Sequence, residues 1–585
     1  MNEHLLSLII FIPLAAVFIL LFVPNQQKKL FKQVTVFICA LQLVVAGLIY
    51  QQFELHMQTT SGGVFSSNTY LHLQLVEKAN WIDLDLGGLG KLSIDYFLGV
   101  DGISITLVLL SALVLFVGAI SSLNIERNIK GYFLLYLVLN ASIMGCFLAL
   151  DFFLFYLFFE FMLLPMYFLI GLWGGPRREY ASIKFFLYTL LGSIFILVVM
   201  IGLYVSVIDP VDTAVEAGLI SSADQATTRV IEQVQQQLQT GKLSGEHLVH
   251  TFNMVAMMDT GNYIPSSVLS LMNHITLWDV PIRLLAFLAL FIGFAIKLPA
   301  VPVHTWLPDA HVEAPTPISV ILAGILLKIG GYGLIRIGYG IFPEGGIHYA
   351  WWIGLFGLIA IIYGGLNALA MKDLKKLIAY SSVSHMGFVL LGLASLTVEG
   401  TSGSLYQMFS HGLISAMLFL IAGVIYDRTH DRMIANYGGL TAVMPYFTSV
   451  VIIGFFASLG LPGFSGFVAE LMVFLGAFNS AGVNALIPRW MAITATIGIL
   501  LGAGYYLWTL QRMFFGSFYV REIVWQKKLK DLDVREYVMF IPLIIAVIVF
   551  GIFPGLFLDL VNQSVNDFIR FVMDTGHTNL QQLYR

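Results

Sequence analysis

Fourteen apolar stretches dominate this chain of 585 residues, most of them near the length a helix needs to cross a bilayer. A spanning helix takes about 20 mostly apolar residues, because lipid offers the backbone no hydrogen-bond partner. The stretches run roughly over 4–23, 34–52, 97–121, 131–150, 152–172, 183–208, 283–305, 315–341, 350–371, 376–397, 403–426, 441–478, 490–512 and 537–559. Hydrophobic residues make up 58% and charged ones 11%, where about 25% charged is usual in soluble proteins. That leaves too little polar surface to coat a globule, and an all-α polytopic membrane protein is predicted. A net charge of −4 excludes a nucleic-acid binder, which needs a basic face. Cys39 and Cys146 are too few for a zinc or iron–sulfur site and read as packing residues. Glu3 is the one charge before the first run, so no positive leader region precedes it and a retained helix is expected.

An even number of spans puts both termini on one side, and Lys and Arg choose the side. One set of loops carries 19 of the 30 basic residues, with clusters at 28–32, 127–130, 177–184, 372–376, 428–432 and 512–535. The opposite set carries eight, Arg283 among them, over far longer segments. The first set is therefore expected to be cytoplasmic and both termini external. Two long external loops follow from this topology. In 53–96, the alternating stretches at 71–76 and 83–86 read as a strand pair. In 209–282, Val230, Ile231, Val234 and Leu238 line one face of an amphipathic segment from Thr228 to Gln239. Four regions result: 1–125 with the strand-like loop 53–96, 126–341 with the insert 209–282, 342–515, and 516–585 with the last span and an external tail.

Charges inside spans carry the most information, since each costs about 2.5–3.5 kcal/mol at a bilayer centre. Glu160 sits in an aromatic run, with Tyr156 four residues back. Lys297 precedes Pro299 and Pro302, which should break the seventh span. Lys328 is central in the eighth, and Glu470 follows the Pro462-Gly463 break of the twelfth. A dry Glu–Lys pair exchanges a proton at little cost; the alternative is a permanent ion pair that fixes packing. His304, His311, His385 and His411 extend the series, either as a proton path beside Ser and Tyr or as haem ligands. His311 and Glu313 are placed at the cytoplasmic exit. Gly330-Gly331-Tyr332-Gly333 lies within a span, where small residues permit close helix packing. Each broken helix is fourth in a set of five, spans 4–8 and 9–13, and an odd number of spans per repeat implies two inverted copies.

These residues resemble a known family. Phe159-Glu160-Phe161, Lys297-Leu298-Pro299, the run from Val303 to His311, Ala314-Pro315-Thr316, Tyr380 to Gly387 and Phe467-Val468-Ala469-Glu470 are similar to the antiporter-like membrane subunits of respiratory complex I, over roughly 90–515. Glu470, where sibling chains place Lys, turns the likeness toward the chain M group of NADH:quinone oxidoreductase. The resemblance implies a proton-translocating subunit of a translocase with no redox centre or cofactor of its own. NADH, FMN, iron–sulfur clusters and quinone would belong to partner subunits, and neighbouring antiporter-like chains would be direct partners in a bacterial cytoplasmic membrane. It further implies that Glu160 and Lys297 form a switching ion pair. Lys328 with His304 would join that pair to an axis through His385 and His411, and Glu470 would be the exit-side relay. The competing readings are a multi-subunit Na+/H+ antiporter chain, a haem-bearing redox protein and a structural scaffold.

Overall fold

The computed structural model describes residues 4–57, 69–85, 91–243 and 245–584. Among them, twelve helices are long and apolar enough to cross a membrane, and Leu5–Leu21 and Pro445–Ser458 are shorter apolar helices. The chain begins with α1 (Leu5–Leu21) and α2 (Lys28–Met57), followed by strands β1 (Gln74–Asp85) and β2 (Lys91–Val100). Then come α3 (Gly102–Ser121), α4 (Ile129–Leu148), α5 (Phe152–Phe161), α6 (Leu163–Trp173) and α7 (Arg178–Ser206). The insert holds α8 (Pro210–Glu216), α9 (Thr228–Gln239) and strand β3 (Val249–Thr251).

Apolar patterning sorts these helices into an inner and an outer set. The apolar centres of the spans Thr316–Tyr339 and Val398–Thr429 are wholly buried, and that of Leu374–Ser395 nearly so. On α7, by contrast, Leu187, Leu191, Ile194 and Val198 are exposed, a row at helical spacing that faces lipid. Four interruptions mark the bundle. Pro165 cannot donate to the carbonyl four residues back, and α5 bends into α6 at Met162, beside Glu160. The helix Ile282–Lys297 ends before Pro299 and Pro302, and Trp306 Nε1 donates to the freed Ile296 carbonyl at 2.8 Å. The span Thr316–Tyr339 contains two π-turns, Leu322–Leu326 and Leu334–Tyr339, on either side of Lys328. The fourth separates Pro445–Ser458 from Ser465–Val483, with Gly460 at φ +76°. Gly330 serves the close packing expected of its segment. A Cβ there would lie 2.7 Å from the Leu298 nitrogen and 2.8 Å from the Phe294 carbonyl.

Four expectations need correcting. The stretches at 71–76 and 83–86 are not partners, since both run into β1; its partner is β2, antiparallel, with Leu84 opposite Leu92 and Asp83 opposite Ser93. Leu92, Ile94 and Tyr96 alternate with Ser93 and Asp95, and pairing with β1 carries the strand on through the apolar Phe97 and Leu98 to Val100, so the next helix begins at Gly102 rather than 97. The expected loop at 58–68 and 86–90 lies outside the described residues. The C-terminal tail is a helix, Gly555–Leu583, whose apolar face buries Phe557, Val561, Phe568 and Val572. Arg283 is no loop cation: it is fully buried, 2.6 Å from Glu344, which also accepts from Asn579 of that last helix at 2.9 Å. The amphipathic α9 spans Thr228–Gln239 and buries Ile231, Val234 and Leu238.

Candidate functional site

The ionisable residues singled out in the sequence converge on the buried inner helices, and half of them form one connected line. Lys328 Nζ lies 2.9 Å from His411 Nδ1 and also donates to the Ala323 carbonyl, an acceptor within the first π-turn. The rings of His411 and His385 have centroids 5.3 Å apart. His385 Nδ1 is 3.6 Å from Glu470 Oε1 and 3.1 Å from Gln407 Nε2. A cavity of about 10 Å³ separates these groups, room for about one water and far too small for a porphyrin. This removes the reading of His385 and His411 as ligands of a shared haem. At the far end, Ser458 Oγ contacts His385 Nε2 at 3.3 Å and donates to Tyr506, which donates to Ser381.

Gly460 makes the second helix break fit this line. A Cβ there would meet Glu470 Oε2 at 2.5 Å, so the glycine leaves room for the carboxylate beside the open turn.

The first half is not bonded in the same way. Glu160 Oε1 and Lys297 Nζ are buried without a hydrogen-bond partner, and no salt bridge joins them. Lys297 instead rests over the Phe159 ring, 4.6 Å from its centroid. The expected ion pair is therefore open in this conformation, with an aromatic face between the two helices. Neither does His304 bond Lys328; its ring packs edge-on against Tyr363 at 5.1 Å, and both ring nitrogens lack partners. His311 is fully buried and stacked on Phe419 at 4.3 Å. Glu313 is 6% exposed and accepts from the Arg177 nitrogen at 2.9 Å.

Several groups of the line were not singled out from the sequence. Gln407 is four residues before His411 on one helix, hence on the same face, and that spacing was a usable signal. Ser458, Tyr506 and Ser381 come from three separate helices, and no local pattern marks them. A second buried pair, Arg336 with Asp101 at 2.7 Å, anchors the inner span to the start of α3.

Residues 149–211 and 247–501 match the family model "NADH:quinone oxidoreductase/Mrp antiporter, TM". The NADH-quinone oxidoreductase subunit M of Rhodobacter capsulatus is 38% identical over 96% of this chain and 96% of its own length. This chain belongs to the subunit M family. The same subunit of Rickettsia bellii is 37% identical over 97% of this chain and 98% of its own. A chain of respiratory complex I from Thermus thermophilus superposes with a TM-score of 0.72 at 27% identity, covering 97% of this chain and 99% of that one. The segments of this subunit M family member that match the family model include Glu160, Lys297, Lys328, His385, His411 and Glu470 but not Tyr506. They omit most of α8 and all of α9.

Proposed function

We propose that this chain carries protons across a bacterial cytoplasmic membrane as an antiporter-like subunit of NADH:quinone oxidoreductase. In this reading it has fourteen spans, two inverted five-helix repeats with one broken helix each, and both termini outside. It contributes no redox centre. NADH, FMN, iron–sulfur clusters and quinone reside in partner subunits, and quinone reduction there supplies the energy.

The observation that carries the reading is the buried contact between Lys328 and His411, continued by His385 to Glu470. Protons move along such groups because each is a titratable donor or acceptor in a dry site. Lys297 and Glu160 form the switch. With Lys297 lying on Phe159, the pair is open, and its closure onto Glu160 would pull charge away from the Lys328 end. Long-range attraction in a dry interior makes such a shift energetically large. His304 and His311 serve as further proton positions on the segment that follows the helix break after Lys297, and Glu470 hands protons outward.

The test is proton uptake by proteoliposomes containing the whole complex with Glu470→Gln. The complex should assemble and oxidise NADH, with its proton yield per NADH reduced by the share this subunit carries. Wild-type pumping in Glu470→Gln would overturn the assignment.

A further inference from the structure

On α4, the part-exposed Gly131, Leu134, Leu135 and Val138 recur at helical spacing, and with the buried Ala141 and Ser142 they border two pockets. One, of about 710 Å³, is almost wholly apolar and reaches Trp81 of β1. The other, of about 840 Å³, opens at the Lys/Arg-rich end between the α1–α2 turn, the start of α4 and the end of α6.

This second groove has two chemically distinct zones. Leu134, Leu135, Phe168 and Leu172 line its depth, and Lys28, Lys130 and Glu126 its mouth, leaving one net positive charge there. Lys130 Nζ donates to the Leu21 and Val23 carbonyls at 2.8 and 2.9 Å, so one of its three N–H bonds is left for another acceptor. Trp173 borders the groove with its Nε1 held on the Arg127 carbonyl at 2.6 Å, the amphipathic placement found where a bilayer meets water.

We propose that this groove seats an anionic glycerophospholipid of the leaflet on the Lys/Arg-rich side. Its phosphate would meet Lys28 and Lys130, and its acyl chains would lie along Leu134, Leu135, Phe168 and Leu172. Charge complementarity selects the occupant: basic pockets between membrane helices bind acidic headgroups, and an apolar helix from another chain would leave the two ammonium groups at the mouth without an anion. The seat touches α6, the continuation of the helix that bears Glu160. The occupant therefore braces the bend at Met162 from the lipid side.

The experiment uses the intact complex in vesicles of phosphatidylcholine doped with a phosphatidylglycerol carrying an acyl-chain diazirine. After irradiation, labelled peptides are mapped by mass spectrometry. Label is expected on 131–135 and 168–173, and Lys28→Gln should lower it about fivefold, the effect of one lysine at a membrane surface. Lys28→Gln leaves the Lys130 bonds in place, so the comparison does not depend on refolding the α1–α2 turn. Equal labelling by a diazirine phosphatidylcholine, no effect of Lys28→Gln, or capture of a protein chain by a photoreactive residue at Leu135 would each overturn the proposal.

Discussion

Lys328 and His411 stand 83 positions apart in sequence, yet Nζ of one is 2.9 Å from Nδ1 of the other, inside two spans whose apolar centres are wholly buried. Two neighbouring groups that both gain a proton charge cannot both hold one cheaply in a dry interior. In the proposed path the pair passes a proton on, and His385, with its ring 5.3 Å from that of His411, is the next position. The arrangement differs from Arg336 with Asp101 and Arg283 with Glu344, whose opposite charges satisfy each other and stay fixed.

Gln407 sets the orientation of His385 through a 3.1 Å contact to Nδ1. Gln407→Leu removes one hydrogen bond worth about 0.5–1.5 kcal/mol. The proton yield of reconstituted complex should fall by part of this subunit's share, less than in Lys328→Met, with NADH oxidation and assembly retained.

Gly330→Ala places a methyl group within 2.7 Å of the Leu298 backbone. Overpacking of this kind costs about 1–3 kcal/mol. The variant complex should melt at a lower temperature in detergent, measured by loss of assembled complex on native gels. A further effect on pumping is expected, because the same contact positions the end of the Lys297 helix.

Arg283 and Glu344 are buried to 1% and 0% exposure. Arg283→Met strands a buried carboxylate and should cost about 3–5 kcal/mol, whereas Arg283→Met with Glu344→Leu should recover most of the loss. Thermal denaturation of the two variant complexes distinguishes these outcomes.

The insert is tied to the hairpin where Lys78 meets Asp95 at 3.0 Å and Asp209 at 3.7 Å, with Asp212 of α8 beside them. Burial first, then the charge of Asp209, pushes the Asp212 carboxyl up to about 7, and burial raises Asp95 as well. A detached carboxyl titrates near about 3.9. The docked insert thus binds more protons between those values, and its attachment weakens as pH rises from about 4 to 7 and is constant above. Hydrogen exchange over 210–239, corrected for intrinsic rates, should increase across that range in the wild type. In Asp212→Asn the slope should flatten, with slower exchange at pH 8.

Much of this was legible beforehand because membranes simplify sequence patterns. Apolar runs mark helices, buried charges stand out against them, and the two Pro/Gly interruptions fall at the two observed breaks next to Lys297 and Glu470. Period two over 92–96 also marked the start of β2, but the apolar run that follows from Phe97 concealed where the strand ended. The last helix escaped because its apolar face is interleaved with Asn, Gln and Asp, in a segment that reads as polar. Which buried groups touch could not be read at all. Lys328 reaches His411 rather than His304 because of how three long helices cross, and Phe159 intervenes between Glu160 and Lys297 through a rotamer that no sequence pattern encodes.

The most direct measurement is the number of protons pumped per NADH oxidised by proteoliposomes of the whole complex bearing Lys328→Met. Methionine keeps the length and apolar bulk of the side chain and removes its titratable group. The account predicts an assembled, NADH-oxidising complex whose proton yield drops by the share this subunit carries. An unchanged proton yield at wild-type electron transfer would contradict it.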